Sequence, residues 1–386
     1  MKFLYIKALR SSIDLIWALI EAGHDVTVIE EMECDPNIKL DIEYQTIEKY
    51  INNTKPDYII SFLFIPVVSD AAQQYGIPYI SWTYDSPLVA LFNESIKNDV
   101  NYAFIFDKAE TEHIKALGNI KAYHMPLGIN MSRVSALNVT EEDIKEYTCD
   151  ISFIGRMYEN NIYNDTIHLF DLQTQTELKT YLLANMHNWS KSKAWPTLSE
   201  HAIKNILSVF PNTVAPAFWS MTEFLAQSLL PRKLAEVERI TMLNEIASKH
   251  KLDLYTDSNL NNLINVNCHD GVSYETTMNK IFYCSKINLN ITLPSIETGI
   301  PLRIFDIMGC GGFVLSNYQE EMDELFKIGY DIEAFKNKEE LFDKLNFYLT
   351  HENERLRISL NGYKSARDKH TIQHRLDEML KIVKNV

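Results

Sequence analysis

Cysteine is scarce in this 386-residue chain, and what there is has no pattern. Cys34, Cys149, Cys268, Cys284 and Cys310 are five scattered residues with no CxxC pair. A zinc knuckle and a disulfide framework are excluded, and buried free thiols are expected. No apolar run reaches membrane-spanning length, so no integral membrane segment is expected. The first residues, MKFLYIKALRSSIDL, are too interrupted for a signal peptide and read as a strand and the start of a helix. A cytoplasmic location follows as an expectation. Basic excess is lacking too: the net charge is −15, which speaks against nucleic acid and anionic lipid as partners. No GxGxxG follows the first strand, so a dinucleotide fingerprint is missing. No Asp-x-Asp pair stands at a strand end. The nearest spacing, DIE at residues 41–43, lies in an early acidic segment, so no metal site is expected.

What remains is the composition of a globular protein, with 46% hydrophobic and 23% charged residues, long enough for two α/β domains. Strand-like and helix-like segments alternate through the first 130 residues, as in a doubly wound parallel sheet. KFLYIKA, DVTVIEE, PDYIISFLF, PYISW, NYAFIF and KAYH read as strands, with amphipathic helices between them. The alternation resumes at CDISFIG from Cys149. Residues 166–233 break it, with helix formers, tryptophans and prolines in place of β-branched runs. They read as a helical insertion, which offers a surface for oligomer formation.

Residues 290–317, NITLPSIETGIPLRIFDIMGCGGFVLSN, carry the most chemistry. Ile287, Leu289 and Ile291 alternate along a short strand. Thr298 suits a helix cap and Pro301 a first-turn position, LRIFDIMG is the helix, and a glycine turn leads into FVLSN. The helix N-terminus offers free N–H groups to an anion. Arg303 lies in its first turn and Asp306 one turn on, on the same face. Guanidinium on phosphate and carboxylate on a sugar hydroxyl would suit this pair.

GIPLRIFDIMGCGG at residues 299–312, YISWTYDSPL at 79–88, HMPLGIN at 124–130 and CDISFIGRMYEN at 149–160 together resemble the CgeB-like, spore-maturation branch of GT-B glycosyltransferases, whose C-terminal domain is of the glycosyl transferases group 1 kind. The resemblance implies two Rossmann-like doubly wound domains facing a cleft. Residues 1–135 would form the acceptor-side domain. Residues 148–352 would form the nucleotide-sugar domain, with its helical insertion at 166–233. Helices over 353–386 would cross back to the first domain. It implies a hexosyltransferase that passes sugar from a nucleoside diphosphate sugar, UDP-sugar above all, to a hydroxyl of a saccharide or protein. No cofactor or metal would be needed, and the anomeric configuration would be retained.

The resemblance also assigns residues. Arg303 and Arg156, after Gly155, would hold the diphosphate and Asp306 the ribose, with Thr298, Gly299, Ile300 and Leu302 around them. The Lys that family 4 enzymes place a turn after that Arg is missing, since Asn160, Asn161 and Ile162 stand there. Glu297 is one place early for the paired-acid pattern of that family; it reads as a catalytic acid reaching the sugar or as a surface acid. Asp85, past the end of a strand, reads as the base on the acceptor hydroxyl or as a turn residue, and becomes the leading base if the reaction inverts. Tyr84 beside it stacks on a sugar or packs. His124 is a catalytic candidate or a structural histidine, and Asn130 a cleft contact or a loop former. Three other readings share the architecture: a sugar-nucleotide epimerase, a two-lobed binding protein and a non-catalytic partner subunit.

Overall fold

The computed structural model describes residues 1–7, 12–30, 40–135, 137–190, 195–259 and 262–385. Cys34 lies outside them, as do the side chains of residues 41–43. Two parallel six-stranded sheets organise the chain. The first is ordered β2-β1-β3-β4-β5-β6, from β1 (Lys2–Ile6), β2 (Asp25–Ile29), β3 (Tyr58–Ser61), β4 (Tyr79–Trp82), β5 (Asn101–Ile105) and β6 (Ala122–His124). The second is ordered β12-β11-β10-β7-β8-β9. Its strands are β7 (Ile151–Ile154), β8 (Leu252–Tyr255), β9 (Asn267–His269), β10 (Ile287–Asn290), β11 (Val314–Asn317) and β12 (Glu333–Phe335). Every residue of β4, β5, β7, β10 and β11 is buried, as expected where helices cover both faces of a parallel sheet. The alternation in β10 therefore does not mark a solvent face. Asn288 and Asn290 are buried as well, and hydrogen bonds to the Phe282 carbonyl (2.9 Å) and the Ser316 hydroxyl (2.9 Å) satisfy their amides.

The two domains share one hydrophobic core. It runs from Phe3 and Trp82 through Leu127 and Ile129 to Phe305 and Met308. The last helix, Ile372–Asn385, packs against the first, Ser12–Glu21. Ile129 and the residues around Thr371 exchange backbone hydrogen bonds, both 2.9 Å.

The middle region is helical: Ile162–Thr166, Leu172–Asn185, Glu200–Val209 and the first half of Met221–Ala247 close around Leu178, Ile206, Leu225 and Leu229. Met221–Ala247 is a single helix of 27 residues, opened by a capping box between Ser220 and Glu223. Pro231 lies inside it, where the sequence suggests a break. A proline forfeits one intrahelical bond, but the strong helix formers on both sides and the burial of Pro231 itself outweigh that loss here. The insertion docks on the first domain, with Trp219 stacked on Phe92 at 4.4 Å between ring centroids.

Among the described residues four thiols are free. Only Cys310 is fully buried; Cys268 is exposed, contrary to the expectation of buried thiols throughout.

Candidate functional site

In the second sheet the strand order reverses between β7 and β10, and open α/β sheets bind ligands beyond the carboxyl ends of the strands at such a point. A cavity of about 170 Å³ lies there, closed from the other side by Tyr84 and Asp85 after β4. Two guanidiniums line it, Arg303 from the first turn of Leu302–Gly309 and Arg239 from Met221–Ala247. Arg303 donates to the Ile154 carbonyl at the end of β7. A Cβ at Gly155 would come within 2.9 Å of Arg303 Nη1, so a side chain there would shift the guanidinium. Arg239 donates to the carbonyls of Arg156 and Ile291 and lies over the Tyr158 ring at 4.7 Å. The Nε of each is buried without a partner. Among the described residues, neither guanidinium is paired with a carboxylate. Burial and the charge of Arg303 both lower the pKa of Arg239. Two such groups on one cavity are a site for an anion.

Asp306 lines the same cavity but is not free. Its Oδ1 accepts from Arg133 Nη2 at 2.6 Å, across the domain boundary. Arg133 spends its other donors on Asp14 (3.0 Å), Asn279 (2.9 Å) and the Tyr274 hydroxyl (3.0 Å), and Tyr274 donates on to Asp14 (2.7 Å). This clasp ties two helices of the first domain, Ser12–Glu21 and Met131–Ser135, to the second. Burial pushes the Asp306 carboxyl up to about 6, and Arg133 limits the rise.

At Asp85 and Ser86 the first cavity meets a second, of about 370 Å³, walled by Trp219, Gln227 and Arg232 of the insertion. Asp85 is reached by solvent through these cavities yet is hemmed in by protein. That crowding raises its pKa, against the opposing charge of Arg232. Tyr84 beside it is pushed up to about 12, first by burial. Asp85 is thus the acid common to both spaces.

Other residues named from sequence lie elsewhere. Thr298 is not a cap, because the Leu302–Gly309 helix begins after Pro301 with no side-chain cap. Its hydroxyl lies 2.9 Å from both Asp107 Oδ1 and Glu321 Oε1, in a contact between domains. Gly299 is pressed against Phe106 and Asp107, where a Cβ would come within 2.9 Å, and Ile300 is buried in the shared core. Leu302, at the start of the helix, does line the cavity. Arg156 points its side chain to solvent and offers only its carbonyl to Arg239. His124 pairs with Glu321 (2.8 Å) away from these cavities. Asn130 is buried and accepts from the Arg133 N–H at 3.2 Å, as a cap on a short helix. Glu297 lines a different cavity, described below, and burial followed by the charge of Asp107 pushes it up to about 7. Its N–H donates to Asp107 Oδ2 at 2.7 Å.

Arg239, Arg133 and Asp107 carry much of this geometry and do not stand out in the sequence. Each is a single charge in a helix or at a helix start, the pattern of an ordinary solvated face. The one available signal is that Arg239 is followed by the apolar Ile240, Met242 and Leu243.

Comparison with known proteins fits this architecture. Residues 234–381 match the family model described as glycosyl transferase-like. No curated protein matches by sequence. Among solved structures, HepE from Anabaena in complex with UDP and glucose aligns over 100% of both chains with a TM-score of 0.56 at 10% identity. Sucrose-phosphate synthase from Thermosynechococcus elongatus aligns over 100% of this chain and 99% of its own, with a TM-score of 0.53 at 10% identity. UDP-GlcNAc 2-epimerase from Neisseria meningitidis, bound to UDP-GlcNAc, covers 98% of this chain and 99% of its own, with a TM-score of 0.50 at 10% identity. The chain has the GT-B fold: two parallel-sheet α/β domains joined across a cleft.

Proposed function

We propose that this protein is a glycosyltransferase of the CgeB-like kind, acting in the cytoplasm on a nucleoside diphosphate sugar. UDP-sugar is the donor we favour, since HepE was solved with UDP and glucose. The observation that carries the reading is the pair Arg303 and Arg239, two guanidiniums without carboxylate partners on a cavity at the strand-order reversal. A diphosphate between them would have its charge neutralised as it leaves, without a metal ion. Asp306 Oδ2, which carries no hydrogen bond among the described residues, would accept from the ribose. Asp85, on the opposite wall, would take the proton of the acceptor hydroxyl as that oxygen bonds to the anomeric carbon and the bond from that carbon to the diphosphate breaks. A carboxyl raised toward working pH suits a general base.

Retention rests on the family resemblance. The geometry favours inversion, because Glu297, the second acid of the retaining pattern, lines another cavity while Asp85 lines this one.

The test is direct. UDP-sugars should raise the melting temperature, and transfer should survive excess EDTA. Asp85→Asn should slow transfer roughly 10²–10⁴-fold with donor binding unchanged. The anomeric proton of the product, followed by NMR, reads the stereochemistry. Loss of transfer in EDTA that magnesium restores would overturn the metal-free reading. The epimerase reading has its own support in the Neisseria neighbour. It predicts a changed sugar nucleotide with no acceptor present, which the transferase reading does not.

A further inference from the structure

A third cavity, of about 170 Å³, opens beside Ser86 and Pro87. It shares these two residues, Trp219 and Gln227 with the larger cavity that meets Asp85. Glu110 and His113 of the Lys108–Ala116 helix, Trp195 and Glu223 of the insertion, Phe92 and Glu297 complete its walls. Three polar atoms on these walls are buried with no hydrogen-bond partner: Glu110 Oε2, Trp195 Nε1 and Gln227 Oε1. Glu110 is 6% exposed; its Oε1 accepts from the Leu88 N–H at 2.7 Å, and the Ser86 hydroxyl lies beside the carboxyl. Each orphan of this kind destabilises the fold, and folded proteins keep few of them. Three on one small cavity point to an occupant that hydrogen-bonds all of them. The occupant must both donate and accept, and must also suit the indole walls. Hydroxyl groups on an apolar ring do this, as on a pyranose. Three acidic side chains, Glu223 with Glu110 and Glu297 whose pKa values are raised, outnumber the one basic side chain, His113, around the space, which disfavours an anion.

We propose that this cavity is an acceptor subsite that holds the sugar next to the one being glycosylated, and that it selects uncharged or amino sugars over uronic acids and sugar phosphates. The proposal rests on the glycosyltransferase reading. It assigns the helical insertion the role of acceptor wall, since Trp195, Trp219 and Gln227 all come from it.

The experiment applies the labelled full-length chain, with UDP present, to a printed array of neutral, amino and acidic mono- and oligosaccharides. UDP binding is followed separately by melting shift. Neutral or amino oligosaccharides should bind, about tenfold or more above their monosaccharides. Gln227→Leu and Trp195→Phe should each cut that binding about tenfold while the UDP shift stays the same. Glu110→Gln keeps the acceptor for Leu88 and should weaken saccharide binding without lowering the melting temperature. Equal binding of mono- and oligosaccharides, a preference for acidic sugars, or indifference to both Gln227→Leu and Trp195→Phe would overturn the subsite. A UDP shift without saccharide binding would sink the subsite alone. Absence of both would sink the glycosyltransferase reading with it.

Discussion

Asp306 and Glu110 are both carboxylates sealed inside the protein, and the chain treats them in opposite ways. Asp306 is held by Arg133 in a network where every guanidinium nitrogen has a partner. Glu110 has one backbone donor and the Ser86 hydroxyl beside it but no cation, and Asp107 nearby adds like charge. Burial raises both, to about 6 and about 8, and the gap follows the neighbours: a cation restrains one, an anion pushes the other further. The paired acid fixes how the domains meet. The unpaired one gives up stability beside a cavity, as groups kept for a ligand do.

The strongest way to break this comparison is to remove the cation. Arg133→Met should cost about 3–5 kcal/mol in urea unfolding, because Asp14 and Asp306 are left buried with no counter-charge. A loss under about 1 kcal/mol would mean that water already reaches the clasp.

The donor side can be sharpened next. Arg303→Ala should weaken UDP binding by roughly 1.5–3 kcal/mol in calorimetry, the scale of a charge-assisted bond. Unchanged affinity in a folded variant would take Arg303 out of the site.

Asp306→Asn asks whether the paired acid also serves the ligand. UDP affinity should fall by about 1 kcal/mol, and 2′-deoxy-UDP should lose much less. Equal losses would reduce Asp306 to its role in the clasp.

The smallest effect is a pH slope. The Glu110 pKa is raised from 4.5 to about 8 in the folded state, so the folded state binds the extra proton. Stability from this group is complete below about pH 4.5 and is lost as pH rises toward about 8. Glu110→Gln should flatten that decline in denaturant midpoints measured across the window. An unchanged slope would show that Glu110 ionises freely.

Much of the fold could be read in advance, because the strand–helix alternation is local and each strand has turn residues at its ends. Arg303 and Asp306 could be read too, since a loop, a helix and a glycine turn place them within one segment. The rest depends on distant contacts. Arg133 meets Asp306 across 173 residues of chain, and no local pattern signals that meeting. Thr298 and Gly299 have the chemistry of a ligand loop, but the other domain occupies them first, through Asp107 and Phe106. Pro231 suggests a boundary where there is none, because tertiary packing holds the helix through it.

That uninterrupted helix sets a rule of phase. Met221–Ala247 extends about 40 Å at 1.5 Å per residue. Arg232, at the larger cavity, and Arg239, at the cavity by the strand-order reversal, lie seven residues apart on it, close to two full turns. The two cavities are thus indexed to one rod. One extra residue between them would turn Arg232 about 100° away from its cavity while Arg239 stayed in place. Seven would restore the angle and displace Arg232 by about 10 Å. An exchange of the insertion for another, made to change the acceptor, must therefore rejoin the rod in step.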